Sequence, residues 1–94
     1  MSLREFLEVE NWEDFVKIAQ ASNLVIRIDP YVFVYLYGLI FFIDLGKLTS
    51  EDVKNLFQAL KEKLVLVKGV KVSRSIYEFI KRQSDKGDMN EGNQ

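Results

Sequence analysis

The chain has 94 residues, a net charge of −1, and neither cysteine nor histidine. Disulfide frameworks, thiolate metal sites and histidine acid–base chemistry are therefore excluded, and no catalytic or cofactor motif is present. A hydrophobic fraction of 48% suits one compact domain, predicted over residues 1–83, with a disordered polar tail over residues 84–94. We expect a protein that is not an enzyme and has no cofactor, metal site or small-molecule substrate.

The first residues predict helices in a cytoplasmic protein. They carry acids where an apolar signal segment would lie, and the Lys/Glu-rich composition suits a thermophile. A capping box predicts a helix over residues 3–9, and Asn11 is a natural N-cap for an amphipathic helix over residues 12–22. The β-branched residues 24–28 fit a short strand or an extended connector.

An uncharged run of fourteen residues, 30–43, reads PYVFVYLYGLIFFI and holds six of the twelve aromatic side chains. Asp29 and Pro30 are typical of an N-cap and first helical position, and Gly46 of a C-terminal cap, which favours a helix over residues 30–45. A buried strand is the alternative, because valine and aromatic residues are frequent in strands. No membrane contact is expected, since the run is shorter than the roughly 20 residues of a membrane span and lies between aspartates.

The second half predicts two more helices. An amphipathic helix is expected over residues 50–63, capped by Thr49 or Ser50, and a last helix over residues 74–83. Residues 64–72 are strand-like and fit a small hairpin. The expected fold class is therefore mainly α, a bundle of four to five helices with or without this minor hairpin. If the hairpin paired with a strand at 24–28, the element order would approximate a winged helix, which is the alternative.

The aromatic run also carries the predicted partner interface. The apolar faces of the four other predicted helices are only just large enough to cover its bulky side chains. Buried tyrosine hydroxyls also need hydrogen-bond partners. Aromatic side chains at a surface are enriched in protein interfaces. Two interpretations stay open, a core buried within the monomer or an interface with a larger protein or a second copy of the chain. The predicted interface residues are Tyr31, Tyr35, Tyr37, Phe41 and Phe42.

A basic segment follows an acidic one. Residues 60–83 hold seven lysines or arginines against two glutamates, whereas residues 1–59 hold five against nine acids. Within this segment KVSRSIYEFIKR, residues 71–82, resembles a helix-turn-helix recognition element, and GKLTSEDV, residues 46–53, resembles the entry to the supporting helix of winged-helix domains. The resemblance departs from the pattern in the long stretch between the two helices. It implies nucleic-acid contacts by Lys68, Lys71, Arg74, Tyr77, Lys81 and Arg82.

Two functions of different class follow from these features. The first is a non-catalytic accessory or adaptor subunit that binds a larger protein, in the setting of nucleic-acid-processing machinery, or that self-associates through the aromatic helix. The alternative is a DNA-binding regulator of helix-turn-helix or winged-helix type that uses residues 68–82. An ordinary amphipathic helix, or a site for an acidic protein, also accounts for the basic segment.

Overall fold

The computed structural model describes residues 5–73 and 75–90 and shows an α/β fold built on one five-stranded mixed sheet. The strands are β1 (Phe6–Glu8), β2 (Val25–Ile28), β3 (Tyr31–Leu36), β4 (Leu39–Asp44) and β5 (Leu64–Leu66). The helices are α1 (Trp12–Ala19), α2 (Ser50–Leu60) and α3 (Ile76–Asn90), with a 3-10 turn at Leu45–Lys47.

The mainly α prediction is wrong, and so is the winged-helix order, because the centre of the molecule is the sheet. The segment expected to be a helix over residues 3–9 contributes strand β1, and the segment 64–72 contains the single short strand β5 at its start rather than a hairpin. α3 continues to Asn90, past the start of the tail predicted from residue 84. The helices predicted from residues 12 and 50 are present, and each ends about one turn earlier than expected.

The aromatic run is a β-hairpin instead of the predicted helix over residues 30–45. Strands β3 and β4 pair antiparallel, and their last pair joins Leu36 to Leu39. Tyr37 and Gly38 form the two-residue turn between them, with φ of 53° and 78°. Two consecutive positive φ angles are characteristic of a type I′ turn, which matches the twist of the flanking strands.

The residues expected to cap that helix have other roles. Asp29 and Pro30, joined by a cis peptide bond, form the turn between β2 and β3. Gly46 lies in the 3-10 turn, where its N–H donates to the Asp44 carboxylate at 2.9 Å. Proline at the start of an element and glycine near its end therefore mark turns here, as they mark helix ends elsewhere.

The strand order is β1-β4-β3-β2-β5. The two outer pairs, β1 with β4 and β2 with β5, are parallel, and the inner pairs are antiparallel. The pairing that the winged-helix alternative supposed between residues 24–28 and a hairpin at 64–72 occurs here between β2 and the single strand β5, where Val25 lies opposite Leu64.

Each face of the sheet packs against helices. On the helix-pair face, α1 and α2 bury Phe15, Ala19, Leu56 and Leu60 against Val25, Val32, Val34 and Ile43. On the α3 face, Ile76 and Ile80 pack against Ile26, Ile28, Phe33 and Ile40. Because both faces are buried, the strands show no polar alternation. Among the described residues, no helix has the length and apolar character to cross a bilayer.

Candidate apolar binding groove

An open groove of about 310 Å³ lies on the α3 face, between the sheet and the segment that leads into α3. Side chains of three strands form one wall and residues around the start of α3 form the other. Alternate residues of a strand point to the same face, and in β3 this places Tyr31 and Phe33 together. The register sets Phe42 of β4 opposite Phe33. The groove residues are Phe6, Tyr31, Phe33, Phe42, Val72, Ser73 and Ile76.

Three aromatic rings on the sheet side contact one another, and we call Tyr31, Phe33 and Phe42 the aromatic triad. The Tyr31 and Phe42 ring centroids are 5.8 Å apart with planes at 83°. The Phe33 centroid lies 6.0 Å from that of Tyr31 and 6.1 Å from that of Phe42. These distances and tilts are in the range that aromatic pairs prefer. Since each ring touches both others, the wall is formed before any ligand arrives.

Tyr77 of α3 connects the helix to the wall of the groove and to the hairpin turn. Its ring makes edge-on contacts with Phe6 and Tyr35, with centroids 6.1 Å away in both cases. Its hydroxyl donates to the Gly38 carbonyl oxygen at 2.8 Å. Burial raises the pKa of the Tyr77 hydroxyl, and the neighbouring Tyr35 adds to the rise. The phenol therefore stays protonated and continues to donate throughout the neutral range.

The five residues predicted as a partner interface are divided among different environments. Tyr31 and Phe42 lie in the groove, and Tyr35 contacts Tyr77. Phe41 points to the opposite face and packs against the helix-pair core. Tyr37 is 89% exposed at the hairpin turn. The structure thus brings together two of the five.

Sequence reasoning missed the other members of the groove. Phe33 belongs to the same aromatic run, and a strand interpretation with a period of two would have placed it beside Tyr31. Phe6 and Val72 reach the groove only through the strand order and the path of the chain after β5. The sequence around neither residue contains a local pattern that indicates a place in the groove.

The residues expected to contact nucleic acid do not form a helix-turn-helix. α2 and α3 would be its two helices, yet they pack on opposite faces of the sheet. Lys68 and Lys71 are exposed on the chain between β5 and α3, and Arg82 is exposed on α3. Lys81 and Tyr77 are half-buried, and Arg74 lies outside the described residues. Nucleic-acid binding by these side chains stays a prediction.

Near β1, a lysine and a glutamate form an ion pair. Lys47 contacts Glu8 at 2.8 Å, and this hydrogen bond and ion pair raise the pKa of Lys47. Within the described part of the chain, no three acidic side chains come close enough together to hold a metal ion.

No protein-family model matches the chain, and a search of curated proteins and of solved structures also gives no match. The groove is therefore interpreted from its own geometry.

Proposed function

We propose that the protein is a non-catalytic accessory subunit that binds an apolar segment of a larger protein in the groove. The observation that carries this proposal is the aromatic triad, a preformed apolar wall beside α3 in which Tyr31 and Phe42 are half-buried and Phe33 is buried behind them. Interface affinity is concentrated in large side chains that fill such pockets, and a wall that is already ordered lowers the entropic cost of binding.

The lining favours a protein segment over a polar small molecule. Small-molecule sites combine apolar walls with several polar groups that orient the ligand. Among the described residues that line this groove, only Tyr31 and Ser73 carry a side-chain hydroxyl, and the other five are apolar. An isoleucine, leucine or aromatic side chain of a partner can bind to such an apolar lining without further polar groups.

The charge beside the groove indicates what should flank the apolar residues of the partner. Lys71 is exposed and immediately precedes Val72, which lines the groove. A carboxylate next to the inserted side chain would gain a favourable interaction with this ammonium group. The expected ligand is therefore an apolar segment with an acidic neighbour.

Selection from a random peptide library, followed by affinity measurements on variants, tests the proposal. Peptides selected by the wild-type chain should be apolar, and Phe42→Ala should weaken their binding at least about tenfold, as expected at a central anchor. Tyr37→Ala is the matched control, because it removes an exposed ring outside the groove. Selection of no apolar peptide, or equal losses in Phe42→Ala and Tyr37→Ala, would overturn the proposal.

Nucleic-acid binding by the basic segment is a second proposal, supported by the exposure of Lys68, Lys71 and Arg82. Contacts of this kind act on phosphates and weaken steeply with salt. Duplex retardation at low salt should be reduced by Lys71→Ala and Arg82→Ala together, with helix content unchanged. No retardation at low salt would dismiss it.

A further inference from the structure

A second cavity, of about 270 Å³, lies between the hairpin turn and α3. It is lined by residues 21–24 of the loop after α1, by residues 35–37 at the end of β3 and in the turn, and by Ser84 and Asp85 of α3. It shares no residue with the groove, which lies at the start of α3. Its lining combines apolar side chains with hydroxyl, amide and carboxylate groups, the mixture that orients a small ligand.

The Ser84 hydroxyl in this lining is buried without a partner. Its Oγ makes no hydrogen bond, and it is the only buried side-chain polar atom of this kind in the described part of the chain. A serine within a helix often donates to the carbonyl oxygen four residues earlier, but Ser84 does not. An unpaired buried hydroxyl costs stability. A ligand that offers Ser84 a hydrogen-bonding group would remove this cost.

Tyr37 also lines the cavity, although the turn holds its backbone at a φ of 53° and the residue is largely exposed. A bulky residue adopts this left-handed conformation at a cost, and such strain is concentrated at functional sites. Burial of the ring does not offset the cost, because the ring lies in solvent. An aromatic ring beside a cavity can pack on a bound ligand. Two features that do not stabilise the fold, the Ser84 hydroxyl and the Tyr37 ring, therefore meet at one cavity.

The charge of the lining selects the class of ligand. Asp85 is exposed, and within the described residues it has no ion-pair partner. None of the described lining residues is basic, so an anion would be repelled. A metal ion would need several oxygen ligands, and no three acidic side chains of the described residues come together to hold one. An organic cation needs one carboxylate, a further acceptor and an aromatic surface.

We propose that this cavity binds a primary alkylammonium group. An ammonium group has three donors and no acceptor, and it would donate to the Asp85 carboxylate and to the Ser84 hydroxyl oxygen. The methylene groups next to it would lie against the ring of Tyr37. Ser84 and Asp85 are consecutive, so a single turn of α3 supplies both acceptors. Two sources carry this chemistry, a free polyamine and the lysine side chain of another protein.

Titration of the isotope-labelled chain with n-butylammonium, followed by amide correlation spectra, tests the proposal. The amide signals of residues 22–24, 84 and 85 should shift and reach saturation. n-Butanol and n-butyrate have the same carbon chain with a neutral and an anionic head group. Both should bind at least about tenfold more weakly, because neither pairs with the carboxylate. No saturable shift with n-butylammonium, or equal binding of n-butanol, would overturn the proposal.

Removal of the carboxylate tests the part of Asp85. Asp85→Asn should weaken n-butylammonium binding about tenfold, because the ion pair becomes a neutral contact. Glu78→Gln is the matched control, since it removes an exposed carboxylate of the same helix outside the cavity. Equal losses in the two variants would show general attraction of a cation to an acidic surface, against the proposal.

Ser84→Ala should change stability and affinity in opposite directions. Loss of the unpaired hydroxyl should raise the thermal midpoint of the free chain, and loss of an acceptor should weaken n-butylammonium binding about threefold or more. A serine with a purely structural part would leave the affinity unchanged. An unchanged affinity in Ser84→Ala would therefore contradict the proposed contact.

Competition with n-butylammonium distinguishes the two sources of the ammonium group. Tighter binding of putrescine would indicate a free polyamine, and tighter binding of acetyl-lysine methylamide would indicate the lysine of a protein. Failure of both compounds to compete would overturn the proposal. Because the cavity and the groove share no residue, Asp85→Asn should leave peptide binding in the groove unchanged.

Discussion

At the scale of single residues, Tyr77 makes the bond that fixes α3 to the hairpin turn. Tyr77→Phe keeps both ring contacts and removes the donor to Gly38. We expect a loss of about 0.5–1.5 kcal/mol in the free energy of unfolding, the usual value for one hydrogen bond. Urea denaturation followed by circular dichroism measures it. Tyr37→Phe removes an exposed hydroxyl and should change nothing; equal losses in the two variants would contradict this role.

The same hydroxyl makes stability depend on alkaline pH. The folded state raises the pKa of Tyr77 above its ordinary value of 10.0, so the folded chain holds this proton more tightly than the unfolded chain. This contribution is complete below pH 10 and is lost as the pH rises through the folded-state pKa. We expect the unfolding free energy to fall less above pH 10.0 in Tyr77→Phe than in wild type. An equal decline of the unfolding free energy in both proteins would show that Tyr77 does not cause this pH dependence.

At the scale of elements, the β3–β4 hairpin has an unfavourable residue in its turn. Tyr37 has φ of 53°, a conformation in which asparagine and glycine are favoured and bulky residues are strained. Because its ring is exposed, little packing is lost on replacement. Tyr37→Asn should raise the thermal midpoint, corresponding to about 0.5–1 kcal/mol. Tyr37→Val, which is β-branched, should lower it, and the same shift in both variants would exclude backbone strain as the cause.

The same hairpin shows where sequence reasoning fails. A half-buried strand is recognised in a sequence by its alternating apolar and polar residues. β3 and β4 are covered on both faces and show no such alternation. The length of the run then favoured a helix, because fourteen uncharged residues are more than a single strand usually contains. The turn that divides the run, Tyr37-Gly38, lacks the Asn or Asp that normally marks a type I′ turn.

Two of the local capping signals in the sequence were confirmed, those of α1 and α2. Asn11 caps α1 by accepting from the Asp14 N–H at 3.0 Å, and Thr49 caps α2 by accepting from the Asp52 N–H at 3.1 Å. Such caps involve neighbours three residues apart, so the sequence contains them entirely. The groove depends on strand order and on where α3 crosses the sheet. Of the groove residues, only Tyr31 and Phe42, which share one hairpin, were among the five predicted interface residues.

At the scale of the whole molecule, the sheet separates two environments. The helix-pair face is closed by two capped helices, and its cluster contains most of the fully buried side chains. The α3 face is covered by one helix, which leaves the aromatic triad beside an opening. Neighbouring residues of a strand point to opposite faces. Adjacent positions in β4 should therefore contribute separately, one to folding stability and the other to binding in the groove.

Phe41 and Phe42 test this division directly. Phe41 packs on the helix-pair core and Phe42 lines the groove, although both are half-buried. Phe41→Ala should cost about 2–4 kcal/mol of unfolding free energy through lost packing, and should leave the affinity for a groove-binding peptide within about twofold. Phe42→Ala should lower that affinity at least about tenfold. Urea titrations and fluorescence polarisation on the same preparations measure both quantities. A larger affinity loss in Phe41→Ala than in Phe42→Ala would place the binding surface on the helix-pair face, against the geometry of the sheet.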